Sequence, residues 1–354
     1  MSHSFFNIIT LFLIKKFRHE RTISAVYHLL KGKRSSQTIQ DGIIFHVSNF
    51  FGLFPTLNRQ TLMDSIEYLK KNAFIEKIEQ NQYCLTKVGD NELFEQLKKS
   101  PIPQSLNGWT YSNETGLFWN RFALLVQTLS NLSYGHKNYI PLSQQLDVLQ
   151  FVKTYIFSLP YTKQQLVNEL YKELHHLLKN KHEKDAQIFM YRLTGYKRIG
   201  MTNEQIANKM NEDSTYIYIR FVATIHYILM TIQEKPVQFP IIAGIMNGQI
   251  KKHTLTASTQ LTYSYWQKGY NIDEIAQIRN LKHSTIEDHF VEIALNVPNF
   301  NVSSFLHQDD IEKIWRKMRE LKTSKLRIIK ESLQNQYSYF HIRLAMAIAA
   351  KGEA

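Results

Sequence analysis

Two stretches of the chain share one spacing of glycine, isoleucine-alanine and serine-threonine residues. The first stretch covers 200–215, and the second covers 269–285 with one more residue before its Ser-Thr pair. Glycine ends a helix at little cost because it tolerates a positive φ, and alanine lets helices approach closely. The pattern is typical of a helix-turn-helix. It predicts a mainly α-helical chain, with helix-turn-helix modules over 184–230 and 257–295.

Capping residues support the same prediction. Thr202 and Asn271 are good helix N-caps, and each is followed three residues later by a Gln or Glu that completes a capping box. A third box, from Ser284 to Glu287, is predicted to open the last helix of the second module. Apolar residues at 286, 290 and 293 would then face inward from that helix.

The N-terminal part predicts a winged-helix domain over 1–99. Three apolar periods indicate helices, and two short alternating runs around a polar turn at Glu79-Gln80-Asn81 indicate a β-hairpin. Leu93, Phe94 and Leu97 predict a closing helix. In a winged helix the third helix can enter a DNA groove. Its first residues, Asn58, Arg59 and Gln60, are therefore candidate nucleic-acid contacts.

Composition shifts divide the rest of the chain. A Pro-, Ser-, Asn- and Gly-rich stretch at 100–116 predicts a linker, and a second break is predicted between Pro236 and Thr256. The expected domains are therefore the winged helix at 1–99, a helical domain at 117–235 and a helix-turn-helix domain at 255–350. A capping box at Thr162-x-x-Gln165 is expected to open a helix in the middle domain.

Positive charge is concentrated near the C-terminus. The chain has a formal net charge of +13 and a pI near 9.5, which favours polyanionic partners. Between 313 and 330 the only acid is Glu320, and the basic residues are Lys313, Arg316, Lys317, Arg319, Lys322, Lys325, Arg327 and Lys330. A solvated helix face and a phosphate-binding face both fit this stripe, and the scarcity of acids favours phosphate contact. Weaker basic groups lie at Lys15, Lys16, Arg18 and Arg21 and at Lys31, Lys33 and Arg34.

The last helix of the second module has the opposite charge. It carries Glu287, Asp288 and Glu292 and no Lys or Arg, so phosphates on both sides of a DNA groove would repel it. We therefore interpret this module as a structural or protein-docking unit rather than a reader of bases. Its candidate partner-binding residues are Lys282, His283, Thr285, Glu287, Asp288 and His289.

Several classes of protein are not expected. The single cysteine, Cys84, excludes an intramolecular disulfide and favours a reducing, cytoplasmic compartment. The apolar run at 5–14 is too short to span a membrane, and no later run is expected to come closer. The sequence has no phosphate-binding glycine loop, no zinc-protease motif and no nucleophile elbow. The histidines and glutamate at 175–183 lack the spacing of metal ligands. From these absent motifs together we expect no enzyme activity, no cofactor and no metal.

The segment from Tyr270 to Phe290 resembles the helicase-type helix-turn-helix found near the C-termini of RecQ-like helicases, and 339–345 resembles it too. The whole chain is similar to the bacterial YpbB family, stand-alone proteins typically encoded beside a RecQ-like helicase. This resemblance implies a context of DNA repair or recombination and supplies no catalytic residues. It favours an accessory factor that binds DNA without sequence preference and docks such a helicase. A winged-helix transcriptional regulator and a protein adaptor without DNA binding are the alternatives.

Overall fold

A computed structural model describes residues 4–246 and 255–352. The described residues confirm a mainly α-helical protein with helix-turn-helix modules and an N-terminal winged helix. The only strands among them form one hairpin. The helices are α1 (Phe5–Lys16), α2 (Ile23–Lys31), α3 (Ser36–Ile44), α4 (Arg59–Lys71), α5 (Lys87–Lys99), α6 (Gly108–Ser133), α7 (Leu146–Ser158), α8 (Lys163–Leu178), α9 (Glu183–Tyr191), α10 (Asn203–Met210), α11 (Ser214–Glu234), α12 (Pro240–Gly244), α13 (Ala257–Trp266), α14 (Ile272–Arg279), α15 (His283–Asn296), α16 (Gln308–Leu321), α17 (Leu326–Ser332) and α18 (Tyr339–Gly352).

Contacts divide the chain into two compact units. Unit 1 comprises Met1–Ile9 and Asn91–Lys251, and unit 2 comprises Thr10–Asp90 and Lys252–Ala354. Unit 2 is therefore discontinuous in sequence, because residues near both ends of the chain contribute to it. The predicted division into three domains stays a prediction. Of the break predicted between Pro236 and Thr256, residues 247–254 lie outside the described residues.

Unit 1 is built around the first helix-turn-helix, α9 to α11. Thr202 and Gln205 form the predicted capping box, and Asn211 ends α10 with a φ of 52°. Gly200 was expected to end a helix with a positive φ, but its φ is not positive. A Cβ there would instead lie 2.2 Å from the carbonyl oxygen of Arg192, so close approach of the backbone requires glycine.

Helix α11 lies at the centre of unit 1. Among the described residues it is the one helix long and apolar enough to cross a membrane, with a hydropathy of 1.3 over its most apolar stretch. The expectation that no segment after the first helix would come closer to a span was therefore wrong. Because 72% of that stretch is buried inside the protein, its apolar character is that of a core helix.

The long helix α6 also corrects the sequence analysis. It begins at Gly108, inside the stretch predicted as a linker, with Asn107 as its N-cap. The side chain of Asn107 accepts a hydrogen bond from the backbone N–H of Thr110. Residues 107–116 were misread because the Asn, Ser, Thr and Gly among them have the composition of a loop as well as of a helix start, although Trp109 and Tyr111 are buried. The capping box that opens α8 at Thr162 is confirmed.

Unit 2 combines the winged helix with the second helix-turn-helix. The winged helix consists of α2, α3, α4 and a hairpin of β1 (Ile75–Glu79) and β2 (Gln82–Leu85), in which Ile75 pairs with Leu85. Helix α3 ends at Ile44, and a turn of 3-10 helix follows at Ser48–Phe50. The predicted closing helix is α5, on which Leu93 is buried and Phe94 is exposed.

His226 is buried in α11 of unit 1 and should make stability depend on pH. Its Nδ1 accepts a hydrogen bond from the Asn107 backbone N–H at 2.9 Å, and burial lowers its pKa to about 3 from the usual 6.5. The unfolded chain therefore binds a proton at this side chain more readily than the folded chain. The resulting stability is complete above pH 6.5 and falls as the pH is lowered toward 3, by up to about 1.4 kcal/mol per pH unit.

Urea unfolding of the wild type and of His226→Gln between pH 7.5 and 5 measures this contribution. Glutamine can still accept from Asn107 but does not titrate, so the free energy of unfolding should depend less steeply on pH in the variant. Buried carboxylates titrate in both proteins and cancel in the difference. Equal slopes would contradict the assignment.

Candidate nucleic-acid interface and partner surface

Both candidate surfaces lie in unit 2, where α15 is the central helix. Helix α15 packs against α13, α14 and α18, and also against α3 of the winged helix. Every residue from His289 to Leu295 is buried. Its accessible residues are therefore concentrated in its first two turns.

The acidic residues of α15 have different positions from those expected. Glu292 is buried, and its carboxylate accepts hydrogen bonds from the Thr256 backbone N–H at 2.5 Å and from the Thr259 hydroxyl at 2.6 Å. Burial raises the pKa of Glu292, and these hydrogen bonds oppose that shift. Asp288 forms an ion pair with Arg343 of α18. The expectation that all three carboxylates would face phosphate was therefore wrong. Glu292 is buried and Asp288 is paired with Arg343, so only Glu287 keeps the expected position.

The predicted partner-binding residues separate into two groups. Lys282 and His283 are exposed, and Thr285 and Glu287 are partly exposed beside them. His283 lies 3.3 Å from Asp273 and 3.6 Å from Glu287. His289 was wrongly placed with them: it is buried, and its Nδ1 lies 2.7 Å from the Thr262 hydroxyl. Burial lowers the pKa of His289 to about 4, with the Arg279 charge adding to the effect.

The start of α15 also differs from the prediction. The helix begins at His283 with Lys282 in the N-cap position, and the Lys282 side chain makes no capping hydrogen bond. The predicted box from Ser284 to Glu287 is therefore wrong. The corresponding prediction for α14 is confirmed, because Asn271 and Glu274 form a complete capping box. Asn280 then ends α14 with a φ of 49°.

The basic stripe is divided between α16 and α17. Lys317 pairs with Glu320 at 2.6 Å, and Arg327 pairs with Glu331 at 2.7 Å. Lys313 donates a hydrogen bond to Gln336 at 2.8 Å, and the Lys330 ammonium lies 4.6 Å from the Tyr339 ring centroid. Within the described ranges, no ion pair involves the remaining cations of the stripe, which are Arg316, Arg319, Lys322 and Lys325.

An N-terminal contact brings further charge to this stripe. The carboxylate of Glu20 accepts a hydrogen bond from the Ser324 backbone N–H at 2.7 Å and another from the Ser324 hydroxyl. Arg18 is two residues before Glu20, and Lys322 is two residues before Ser324. Each therefore lies within about 8 Å of the contact. Arg18 is exposed. We define the C-terminal basic patch as Arg18, Arg316, Arg319, Lys322 and Lys325. Sequence reasoning missed Glu20, because a contact between such distant residues has no local signal.

The other N-terminal cations are largely engaged. Lys15 pairs with Asp90, and Arg21 pairs with Asp41 at 2.7 Å. Burial raises the pKa of Asp41, while the Arg21 charge lowers it. Lys16 is exposed, and its ammonium lies 5.5 Å from the Phe12 ring centroid. Arg18 is the cation that we add to the patch, because it lies two residues from Glu20.

The winged-helix candidates on α4 are exposed, but two are occupied locally. Asn58 caps α4 by accepting from the Thr61 backbone N–H at 2.7 Å, and Gln60 donates to Asp64 at 2.7 Å. Arg59 lies 5.1 Å from the centroid of the Tyr27 ring, and Lys31 lies 5.4 Å from it. Arg59 is thus the candidate in α4 with charge available for a phosphate.

No metal centre accompanies these surfaces. Over 4–246 and 255–352, no three His, Cys, Asp or Glu side chains are grouped closely enough to hold a metal ion.

Comparison with known proteins agrees with the C-terminal geometry. A family described as "Helix-turn-helix domain" matches residues 258–346, from α13 into α18, and suggests DNA binding. No solved structure matches the chain. Protein YpbB of Bacillus subtilis (strain 168) is 36% identical over 347 residues, which cover 98% of each chain. The chain therefore belongs to the YpbB family.

Proposed function

We propose that this protein is a non-enzymatic accessory factor of a RecQ-like DNA helicase in DNA repair or recombination. It binds DNA weakly and without sequence preference, and it docks the helicase through the accessible start of α15. The observation that carries the proposal is the C-terminal basic patch, which lies in the same unit as a helix-turn-helix whose third helix is enclosed.

The patch suits phosphate rather than base edges. Its cations come from α16, from the turn before α17 and from the N-terminal segment, and none has an ion pair in the part of the chain that the structure describes. Cations that no ion pair engages attract any phosphate backbone, and their binding releases its counterions. Such contacts position a protein on DNA but carry no sequence information.

The docking role rests on the accessible turns of α15. Lys282, His283 and Glu287 form a small mixed-charge surface, and the rest of the helix is enclosed. The resemblance of this module to one that RecQ-like helicases carry supports such a helicase as the partner. That support is an association by shared domain, and the experiment below tests it directly.

A transcriptional regulator is the second candidate, favoured by the exposed Arg59 at the start of α4. Base readout needs side chains with free donors and acceptors at the groove. The Asn58 side-chain oxygen already accepts from the Thr61 backbone N–H, and the Gln60 side-chain nitrogen already donates to Asp64. A protein adaptor would use the α15 surface and leave the basic patch without a nucleic acid.

Co-purification from the native cell, with and without nuclease, tests the proposal. A RecQ-like helicase should co-purify with the tagged protein and should survive nuclease, because the contact is between proteins. Lys282→Glu with Glu287→Lys should remove it, since the exchange reverses both charges of the surface. The matched control is Glu95→Lys with Lys98→Glu on α5, two exposed positions with the same exchange of charge. Loss of the helicase on nuclease treatment would refute docking, and retention in the α15 variant would refute the surface.

A further inference from the structure

Unit 1 contains an open groove of about 890 Å³. It lies between α6, α7 and the connection at 134–145. Leu124 and Leu132 on α6 line one side, and Leu149 and Ile156 on α7 line the other. Its volume is within the range of binding pockets, which is roughly 300–1,000 Å³. Neither the proposed DNA contact nor the α15 surface includes these residues.

The connection that forms one wall is held firmly to α6. Gln127 uses both ends of its amide, donating to the Ile140 carbonyl at 3.0 Å and accepting from the Leu142 backbone N–H at 2.9 Å. Tyr139 donates to the Thr128 hydroxyl at 2.7 Å. These bonds fix the wall without an occupant, so the groove is preformed and binding would cost little ordering entropy.

Large apolar side chains are exposed along this groove. Two residues of its lining, Leu146 and Phe157, are 82% and 79% exposed, and Ile140, between the lining residues Tyr139 and Pro141, is 83% exposed. Several large exposed apolar side chains around one groove are a feature of interaction sites. Leu146 and Phe157 lie at opposite ends of the α7 wall, a separation of about 17 Å along a helix.

The rim of the groove is positively charged. Lys137, Lys153 and Lys163 line it, and no Asp or Glu does. All three lysines are exposed, and none has an ion pair within the described residues. An occupant therefore needs an apolar face for the floor and negative charge for the rim.

The shape selects among occupants with those properties. A small molecule usually has most of its surface covered by its pocket, but side chains about four-fifths exposed leave this groove open along its length. A length of about 17 Å corresponds to roughly three turns of helix. An amphipathic helix laid in a groove matches both features. We propose that the groove between α6 and α7 binds an acidic amphipathic helix of a partner protein.

Synthetic peptides provide the probe. The first peptide is a labelled helix of about four turns with leucine on one face and glutamate on the other. The second carries lysine in place of glutamate, and the third has the composition of the first in an order that destroys the apolar face. Fluorescence anisotropy with the full chain should show the first peptide binding at least tenfold more tightly than either control. Equal binding of the scrambled peptide would overturn the proposal, because charge alone would then explain the affinity.

Variants locate the binding. Replacing Lys137, Lys153 and Lys163 with Glu should weaken the acidic peptide at least tenfold and strengthen the lysine peptide. The matched control replaces Lys179, Lys209 and Lys235 with Glu, at three exposed positions of unit 1 outside the groove. It should leave the affinities for the acidic peptide and the lysine peptide within twofold of the wild type. Leu146→Ser with Phe157→Ser should weaken the acidic peptide without unfolding the protein, since both side chains are exposed. An unchanged affinity in either groove variant would overturn the proposal. Vesicles of phosphatidylglycerol test an anionic membrane as the occupant instead. If the lysine variant lost vesicle binding but kept its affinity for the acidic peptide, the proposal would also be overturned.

Discussion

Replacing Arg316, Arg319, Lys322 and Lys325 with Ala should weaken DNA binding at least tenfold, equally on every sequence. Each lost phosphate contact on duplex DNA should flatten the slope of log affinity against log salt by up to about 0.9. Lys317 stays in place because its ammonium is paired with Glu320. Anisotropy with single-stranded, duplex and forked DNA at two salt concentrations measures both effects. The fold should survive, because Ile311 and Ile314 keep α16 buried on its apolar side.

Two controls make this result specific. Alanine at Lys179, Lys197, Lys209 and Lys235 removes the same charge from exposed positions of unit 1 and should change the affinity much less. Alanine at Lys282 and His283 should also have a small effect on DNA. If the α15 variant lost DNA binding while the four-site variant kept it, the assignment would be wrong: DNA would contact the start of α15 and not the basic patch.

Replacing Phe290 with Ala should destabilise unit 2 by about 3–5 kcal/mol, the usual cost of deleting a buried aromatic side chain. Phe290 is fully buried in α15, and its ring centroid lies 4.9 Å from those of Trp266 and Phe305. A cavity there removes contacts to two other elements at once. Hydrogen exchange measured by mass spectrometry should show reduced protection of α13 to α15, and urea unfolding should begin at lower concentration.

Glu287→Ala on the same helix is the matched control. Its side chain is partly exposed, so the change should cost no more than about 0.5 kcal/mol. If both variants had the same small effect, α15 would not be the central helix of its unit.

The helix-turn-helix modules could be predicted because their signals are local. A capping residue and its partner three positions later, as in Thr202 with Gln205, indicate where a helix begins. The same pattern failed at Ser284 and Glu287, where the helix begins one residue earlier, at His283. The signals of the hairpin are also local, since apolar alternation and a polar turn lie within a few residues. The resemblance to the helicase-type helix-turn-helix also came mainly from contiguous residues of α14 and α15.

The functional surfaces could be predicted only in part, because charge in the sequence does not show what it faces. Glu292 and Asp288 read as exposed acids, yet one is buried against α13 and the other is paired with Arg343. The basic stripe was visible, but its separation into paired and unpaired cations depends on the turn at Lys322 and on Glu20. The groove in unit 1 was missed because its apolar residues follow no helical period through the connection at 134–145.

The discontinuity of unit 2 has a consequence for biosynthesis. A ribosome completes residues 10–90 long before it reaches 252–354, and the residues of unit 1 emerge in between. At about 5–20 residues per second, the wait is on the order of 10 s. During that time α3 lacks its partners α15 and α18, so its apolar face is exposed to chaperones and proteases. Nascent chains stalled before residue 252 should therefore show a protease-sensitive winged helix, and premature termination there should remove the N-terminal module as well as the C-terminal one.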